Sequence, residues 1–208
     1  MLRIGVLVSG GGTNLQAIID GIDSGYIPDS SIELVISNKK NAYALTRATD
    51  ANIETCIIGR KQFESPAAFD VALADTLKTA KIDLVLLAGF MAILGPGFFT
   101  DFKNKVMNVH PALIPSFSGP GYYGLKVHES VLAAGCKVTG ASVHFVTPEV
   151  DAGPLILQLA VDVKQGDDPE TLQHRVMEEA EWKIYPEAVR LFALGLLEVR
   201  GQQVYIND

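Results

Sequence analysis

Asn108 and His110 stand two residues apart at the end of the apolar run KVMNVH (105–110), and Pro111 follows at once. In an extended strand, residues i and i+2 project to the same face, so an amide and an imidazole would leave this strand together. Two donors aimed at one point suit a carbonyl oxygen that becomes an oxyanion. The plainer alternative is a histidine satisfied by the backbone and an asparagine that opens a turn. A third group weighs against it. Asp151 lies in the turn-rich stretch TPEVDAGP (147–154), where Gly153 and Pro154 force a sharp path. A carboxylate beside His110 favours imidazolium and fixes the ring. Asn108, His110 and Asp151 thus form a constellation suited to acyl-group transfer. Ser116 and Ser118 lie in a loop without the strand–turn–helix context of a nucleophile elbow. Direct transfer between two bound substrates therefore fits better than an acyl-enzyme.

A second candidate site is SGGGTN (9–14), a glycine turn between an apolar strand and a helix. Glycines let a backbone approach a ligand, and a helix N-terminus offers unpaired N–H groups and partial positive charge. A phosphate is the natural guest; the competing explanation is a tight turn in which Thr13 or Asn14 merely caps the helix. No Lys-Ser or Lys-Thr follows, which excludes a Walker A loop. Leu15 replaces the third glycine of a dinucleotide fingerprint, and the second strand ends Ser-Asn-Lys rather than in an acidic residue. A small phosphorylated ligand is favoured over NAD.

The elements that must position these residues follow from periodicity. Strands are predicted at 2–10, 31–38, 53–58, 82–90 and 105–110. Helices are predicted at the Leu15, Ile18, Ile19, Ile22 stripe, at 42–52 and at 67–80. Apolar strands alternating with amphipathic helices indicate a parallel sheet covered on both faces. Ligands sit beyond the carboxyl ends of such strands, where SGGGTN, SNKK (37–40), FMAILGPG (90–97) and NVHP (108–111) fall. The second half differs. VTGASVHFV (138–146) alternates and pairs with LILQLAVDV (155–163) as an antiparallel strand. Residues 169–197 read as a long helix bent near Pro186, and EVRGQQVYI as a hairpin turning at Gly201. The fold class is α/β: an open, mostly parallel, doubly wound, Rossmann-like sheet with an antiparallel extension and a long C-terminal helix.

Composition sets bounds on the class. The 208 residues carry a net charge of −7 and are 48% hydrophobic and 20% charged. This suits a single domain with a sizeable core and argues against disorder and a broad nucleic-acid surface. Cys56 and Cys136 stand alone, as reduced thiols in or near the core of a cytoplasmic protein. No clustered ligand spacing supports a metal. The first strand begins at Leu2, leaving no room for a cleaved leader, and no apolar run approaches a membrane span.

Taken together, SGGGTNLQAIID, LAGFMAIL, NVHPALIPSFSG, GASVHFVTPEVDAGP and EAEWKIYP resemble the phosphoribosylglycinamide formyltransferases, in that family's order and across most of the chain. The resemblance implies transfer of a formyl group from 10-formyltetrahydrofolate to the amine of glycinamide ribonucleotide in purine biosynthesis, without metal, nucleic acid or membrane, by a monomer or homodimer. It implies one domain over 1–208, with a ribonucleotide half (1–103) and a catalytic, folate-binding half (104–208). Gly11, Gly12, Thr13 and Asn14 would hold the phosphate, and Glu181 would contact the same substrate. Met91, Ala92, Ile93 and Leu94 would line the folate site, with Asn108 and Thr147 beside it, and Asn108, His110 and Asp151 match the catalytic trio. Ala92 stands where many relatives have Arg. Pro66 stands where relatives often have an Arg near the folate's glutamate tail. The glycine-rich segment 119–128 is longer than in many bacterial relatives and reads either as a lid or as a plain surface loop.

Other residues are assigned lesser parts. His144 is read as structural or supporting, sharing a face with Ser142 and Val146. His128 and His174 are read as surface residues, Tyr122 and Tyr123 as surface packing, and Trp182 as packing. Two alternatives compete: a formyltetrahydrofolate hydrolase, and a non-catalytic sensor of a phosphorylated ligand. Hydrolase relatives usually carry an extra N-terminal domain and initiator-tRNA formylases an extra C-terminal one, neither expected here.

Overall fold

Val6, Leu7 and Val8 have no exposed surface, as expected of a strand buried on both faces. They close Leu2–Val8 (β1), the centre of a parallel set with Ser30–Ser37 (β2), Glu54–Ile57 (β3) and Leu84–Ala88 (β4), in the order β3-β2-β1-β4. The helices between them are Thr13–Asp23 (α1), Tyr43–Asp50 (α2) and Pro66–Thr79 (α3). Leu15, Ile18 and Ile19 of α1 and Phe69, Leu73 and Leu77 of α3 are buried. Ser65 caps α3 by accepting from the Ala68 amide, and Pro66 occupies the first turn, where its missing N–H costs nothing. The strand order reverses between β1 and β4. That switch point is where an open α/β sheet receives ligands, and both SGGGTN and FMAILGPG follow directly from it.

The computed structural model describes residues 1–207 and divides the chain into two compact units, Met1–Met107 and one beginning at Asn108. The division falls inside Val106–His110 (β5). The second unit continues with Leu125–Ala133 (α4), Val138–Phe145 (β6), Leu155–Asp162 (β7), Pro169–Val176 (α5), Trp182–Ala193 (α6), Leu197–Arg200 (β8) and Gln203–Ile206 (β9). Its strand order is β5-β6-β7-β9-β8, with β6/β7 and β8/β9 antiparallel and β7/β9 parallel. The fold is α/β with nine strands among the described residues, parallel through the first unit and with an antiparallel part in the second.

Three expectations are corrected. The β6 strand does not alternate: every residue from Thr139 to Phe145 is buried, because β7 borders it and helices α5 and α6 pack on it. The long C-terminal helix is present, but its irregularity lies before Pro186. Met177–Glu181 is a π-type segment between α5 and α6, with the Trp182 amide reaching back to the Met177 carbonyl, and Pro186 is accommodated within α6. The helix α4 was not anticipated, because the glycine-rich run before it hid its start at Leu125. The terminal hairpin does turn at Gly201, with φ +62°.

Candidate active site

The polar cluster begins where β5 stops. Beyond His110 the chain is clamped by Ser142, fully buried on β6. Its hydroxyl donates to the Ala112 carbonyl at 2.7 Å and accepts from the Ile114 amide at 3.0 Å. Gln158 on β7 donates to the Ile114 carbonyl at 3.0 Å and to the Ser142 hydroxyl at 2.8 Å. These bonds satisfy backbone groups that Pro111 and Pro115 keep out of regular structure. The loop after β6 is set as tightly. A Cβ on Gly153 would overlap the Phe145 carbonyl oxygen, and the Phe145 amide donates to the Pro154 carbonyl at 2.9 Å. Only glycine lets the chain fold back this closely, and the return holds Asp151 in the left-handed region at φ +53°.

The carboxylate of Asp151 bridges two imidazoles. Its Oδ2 lies 3.5 Å from His110 Nδ1 and accepts from the Gly119 amide at 3.0 Å; its Oδ1 lies 3.6 Å from His144 Nε2. The tautomers follow from the remaining partners. A carbonyl only accepts, so the 2.8 Å contact of His110 Nε2 with the Phe117 carbonyl puts a proton on Nε2. Nδ1, facing the carboxylate, is then the atom that gains or loses a proton. His144 likewise carries a proton on Nδ1, donated to the Phe145 carbonyl at 2.9 Å. Its Nε2 accepts from Asn108 Nδ2 at 3.3 Å. One amide hydrogen of Asn108 and the Nδ1 of His110 are the groups these bonds leave uncommitted.

Burial is the largest influence on His110 and pushes it down; Asp151 and the Phe117 carbonyl push it up, and His144 down again. The net position is below an ordinary histidine, so the ring is neutral at pH 7. Asp151 pulls His110 toward imidazolium in the expected direction, but burial outweighs it in the resting state. Burial likewise pushes the Asp151 carboxyl up, but His144, His110 and the Gly119 amide together outweigh it and hold the group ionised below its usual range. The resting arrangement is a carboxylate between two imidazoles, and its contact with His110 becomes an ion pair once Nδ1 takes a proton.

Asn108, His110 and Asp151 are brought together as expected, and His144, expected only to support, joins the same cluster. Its partners there are Asp151 and Asn108, long-range contacts that strand alternation does not reveal. His128 is corrected. It has no exposed surface, both ring nitrogens lack hydrogen-bond partners, and burial, with a smaller push from His110, lowers it to about 4. His174 is exposed, Trp182 is half-buried, and Tyr122 and Tyr123 are exposed. Thr147 is half-buried and donates to the Glu149 carbonyl, and Glu181 is buried in the π-type segment.

In the first unit, the N-cap of α1 is Gly12 at φ +73°, which makes no side-chain cap bond. Thr13 and Asn14 lie in the first turn of the helix rather than at its N-cap position. A Cβ on Gly12 would lie 2.6 Å from the Ala44 Cβ, whereas Gly10 and Gly11 have nothing within 4 Å. Gly12 is thus dictated by packing against α2, while the space a Cβ would take at Gly10 and Gly11 is open. In the turn after β4, Met91 and Ile93 are exposed, Ala92 is half-buried and Leu94 is buried. Among the described residues no group of three or more His, Cys, Asp or Glu is placed to hold a metal ion, and no helix is long and apolar enough to cross a membrane.

The sequence profile described as formyl transferase matches residues 2–189. The chain belongs to this formyl transferase family. A phosphoribosylglycinamide formyltransferase of Haemophilus influenzae is 41% identical over 207 residues, covering 100% of this chain and 94% of that protein. The trifunctional purine biosynthetic protein adenosine-3 of Bos taurus is 46% identical over 199 residues. The chain spans about a fifth of that protein's length (19%). Among solved structures, the glycinamide ribonucleotide transformylase 1 of Symbiobacterium toebii superposes with a TM-score of 0.94 at 47% identity, over 100% of this chain and 95% of that one. Within the formyl transferase match lie the glycine turn, the 90–97 turn and the whole Asn108–His110–His144–Asp151 cluster.

Proposed function

We propose that this chain is a phosphoribosylglycinamide formyltransferase that moves the formyl group of 10-formyltetrahydrofolate to the amine of glycinamide ribonucleotide. The observation that carries the reading is the ionised Asp151 between His110 and His144 with Asn108 alongside, in a chain similar along its whole length to proteins of that name. In this reading Gly11, Gly12, Thr13 and Asn14 hold the phosphate and Glu181 contacts the ribonucleotide. Met91 to Leu94, with Thr147, hold the folate. The enzyme works in the cytoplasm.

The neutral amine attacks the formyl carbon, and the carbonyl oxygen becomes an oxyanion. The uncommitted amide hydrogen of Asn108 and a proton on His110 Nδ1 stabilise it; losing one such donor typically raises the barrier by roughly 2.7–4 kcal/mol. Asp151 stabilises imidazolium as it forms, through the contact that is unfavourable to a neutral Nδ1. The bond from the formyl carbon to the folate N10 then breaks. The attacking nitrogen gives its proton to the neutral His110 Nδ1, and that proton passes to N10 as the bond breaks, so the exchange balances without an external acid or base.

The test is a formyl-transfer assay that follows the folate absorbance change with and without the ribonucleotide. A rate that requires ribonucleotide and yields formylated ribonucleotide is expected. An equal rate without it would identify a hydrolase, and ribonucleotide binding with no rate a sensor.

A further inference from the structure

We propose that Ser9 and Asp70 are positioning residues that pin the 91–95 loop at its two ends and so set the affinity for the folate co-substrate. The inference rests on the reading above that this loop holds folate. Ser9 directly follows β1 and is 4% exposed. Its hydroxyl donates to Asn38 Oδ1 at 2.7 Å and accepts from the Met91 amide at 2.8 Å. With its single proton committed to Asn38, only a lone pair can face Met91, so the direction of the relay is fixed. Val8 and Ala88 are register partners on β1 and β4. The Ser9 bond therefore crosses the switch point itself and ties the start of the glycine turn to the start of the 91–95 loop.

The other end is held differently. Asp70 lies on the buried face of α3, 5% exposed, and its Oδ2 accepts from the Gly95 amide at 2.9 Å. A Cβ on Gly95 would lie 2.5 Å from that oxygen. Glycine is required there for space, since the carboxylate occupies the position. The second oxygen, Oδ1, is buried without a hydrogen-bond partner, and burial raises the carboxyl against the pull of the Gly95 amide and Arg60. A half-satisfied buried carboxylate is destabilising. Such groups persist where they fix a geometry that function needs.

Between the two anchors the loop presents Met91, 46% exposed, and Ile93, 72% exposed, while Leu94 is buried beneath. An apolar tip held by both ends loses little freedom on binding a flat aromatic ligand. The two anchors make that tip rigid without touching the ligand.

The experiment measures tetrahydrofolate and ribonucleotide Kd by calorimetry, and KM and kcat in the transfer assay, for Ser9→Ala, Asp70→Ala, Asp70→Asn and Ile93→Asp. Circular dichroism and urea unfolding confirm folding. In Ser9→Ala and Asp70→Ala, folate Kd and KM are expected to rise about tenfold, with the ribonucleotide constants within about twofold. At saturating folate, kcat should stay within about threefold of wild type. Asp70→Asn keeps an acceptor for Gly95 and should restore folate affinity; it and Ser9→Ala carry the test if Asp70→Ala does not fold. Wild-type folate affinity in the folded anchor variants, or equal weakening of both ligands, would overturn the proposal. Ile93→Asp separates the two claims. If it weakens folate binding and the anchor variants do not, the anchor fails alone; if it leaves folate binding intact, the loop reading fails and the anchor with it.

Discussion

Replacing Asp151 by Asn preserves the side chain's volume and an acceptor for the Gly119 amide, but removes the charge between His110 and His144. In the resting state His110 is neutral, so little of the carboxylate's attraction is felt before reaction. In the transition state the ring is charged, and unit charges 3.5 Å apart attract by about 5 kcal/mol at an effective dielectric of about 20. Burial of both partners offsets part of this. A surviving difference of about 3–4 kcal/mol corresponds to a fall of about 10²–10³ in kcat. Because the interaction strengthens only during reaction, the loss should appear in kcat, with KM for both substrates little changed. Initial rates across the pH range, with circular dichroism as the folding control, test this. The inflection of kcat/KM belonging to His110 should also move to lower pH, since Asp151 is the main influence holding that ring up against burial. A folded variant with kcat within about threefold of wild type would refute the assigned role.

Asn108→Ala removes the donor to His144 and to the oxyanion, and its kcat should fall about 10²-fold with the fold intact by circular dichroism. His128 is held at about 4 by burial, so as pH falls below about 6.5 the unfolded chain protonates it first and the folded chain loses stability. By urea unfolding, wild type should lose about 2 kcal/mol more than His128→Leu between about pH 7.5 and about pH 5; parallel losses would refute the assignment. Ser142→Ala strands the Ile114 amide and the Ala112 carbonyl and should cost about 2 kcal/mol by urea unfolding, together with a lower kcat. Gly12→Ala places a methyl 2.6 Å from Ala44 at a left-handed φ and should cost about 2–4 kcal/mol by the same measurement.

The parallel half of the fold was legible because its strands are continuous apolar runs and its helices carry clear stripes, so one periodicity answered each segment. The second half was harder for an identifiable reason. A strand buried on both faces, such as β6, contains Thr139, Ser142 and His144, and polar residues at every few positions imitate the alternation of a half-exposed strand. Two of those residues have work inside: Ser142 holds the turn after β5, and His144 faces Asp151 and Asn108. The same confusion placed His128 on the surface, since a lone histidine amid Lys126 and Glu129 reads as a solvated face until the helix it lies on is known.

The trio could be found from type and spacing, but the fourth member and the anchors could not, and the difference is physical. Asn108 and His110 share a face by the period of a strand, and Asp151 is marked by the turn residues around it. Ser9, Asp70 and Asn38 carry no such mark; each is a common residue whose importance lies in bonds to segments 25 to 82 positions away. The sequence signals them only indirectly, through Gly95, a glycine with no positive φ to explain it. Such a glycine states that something occupies the space where its Cβ would be, and here that something is a buried carboxylate. Glycines whose backbone needs no special conformation are therefore the ones to question first when looking for the supports of a binding loop.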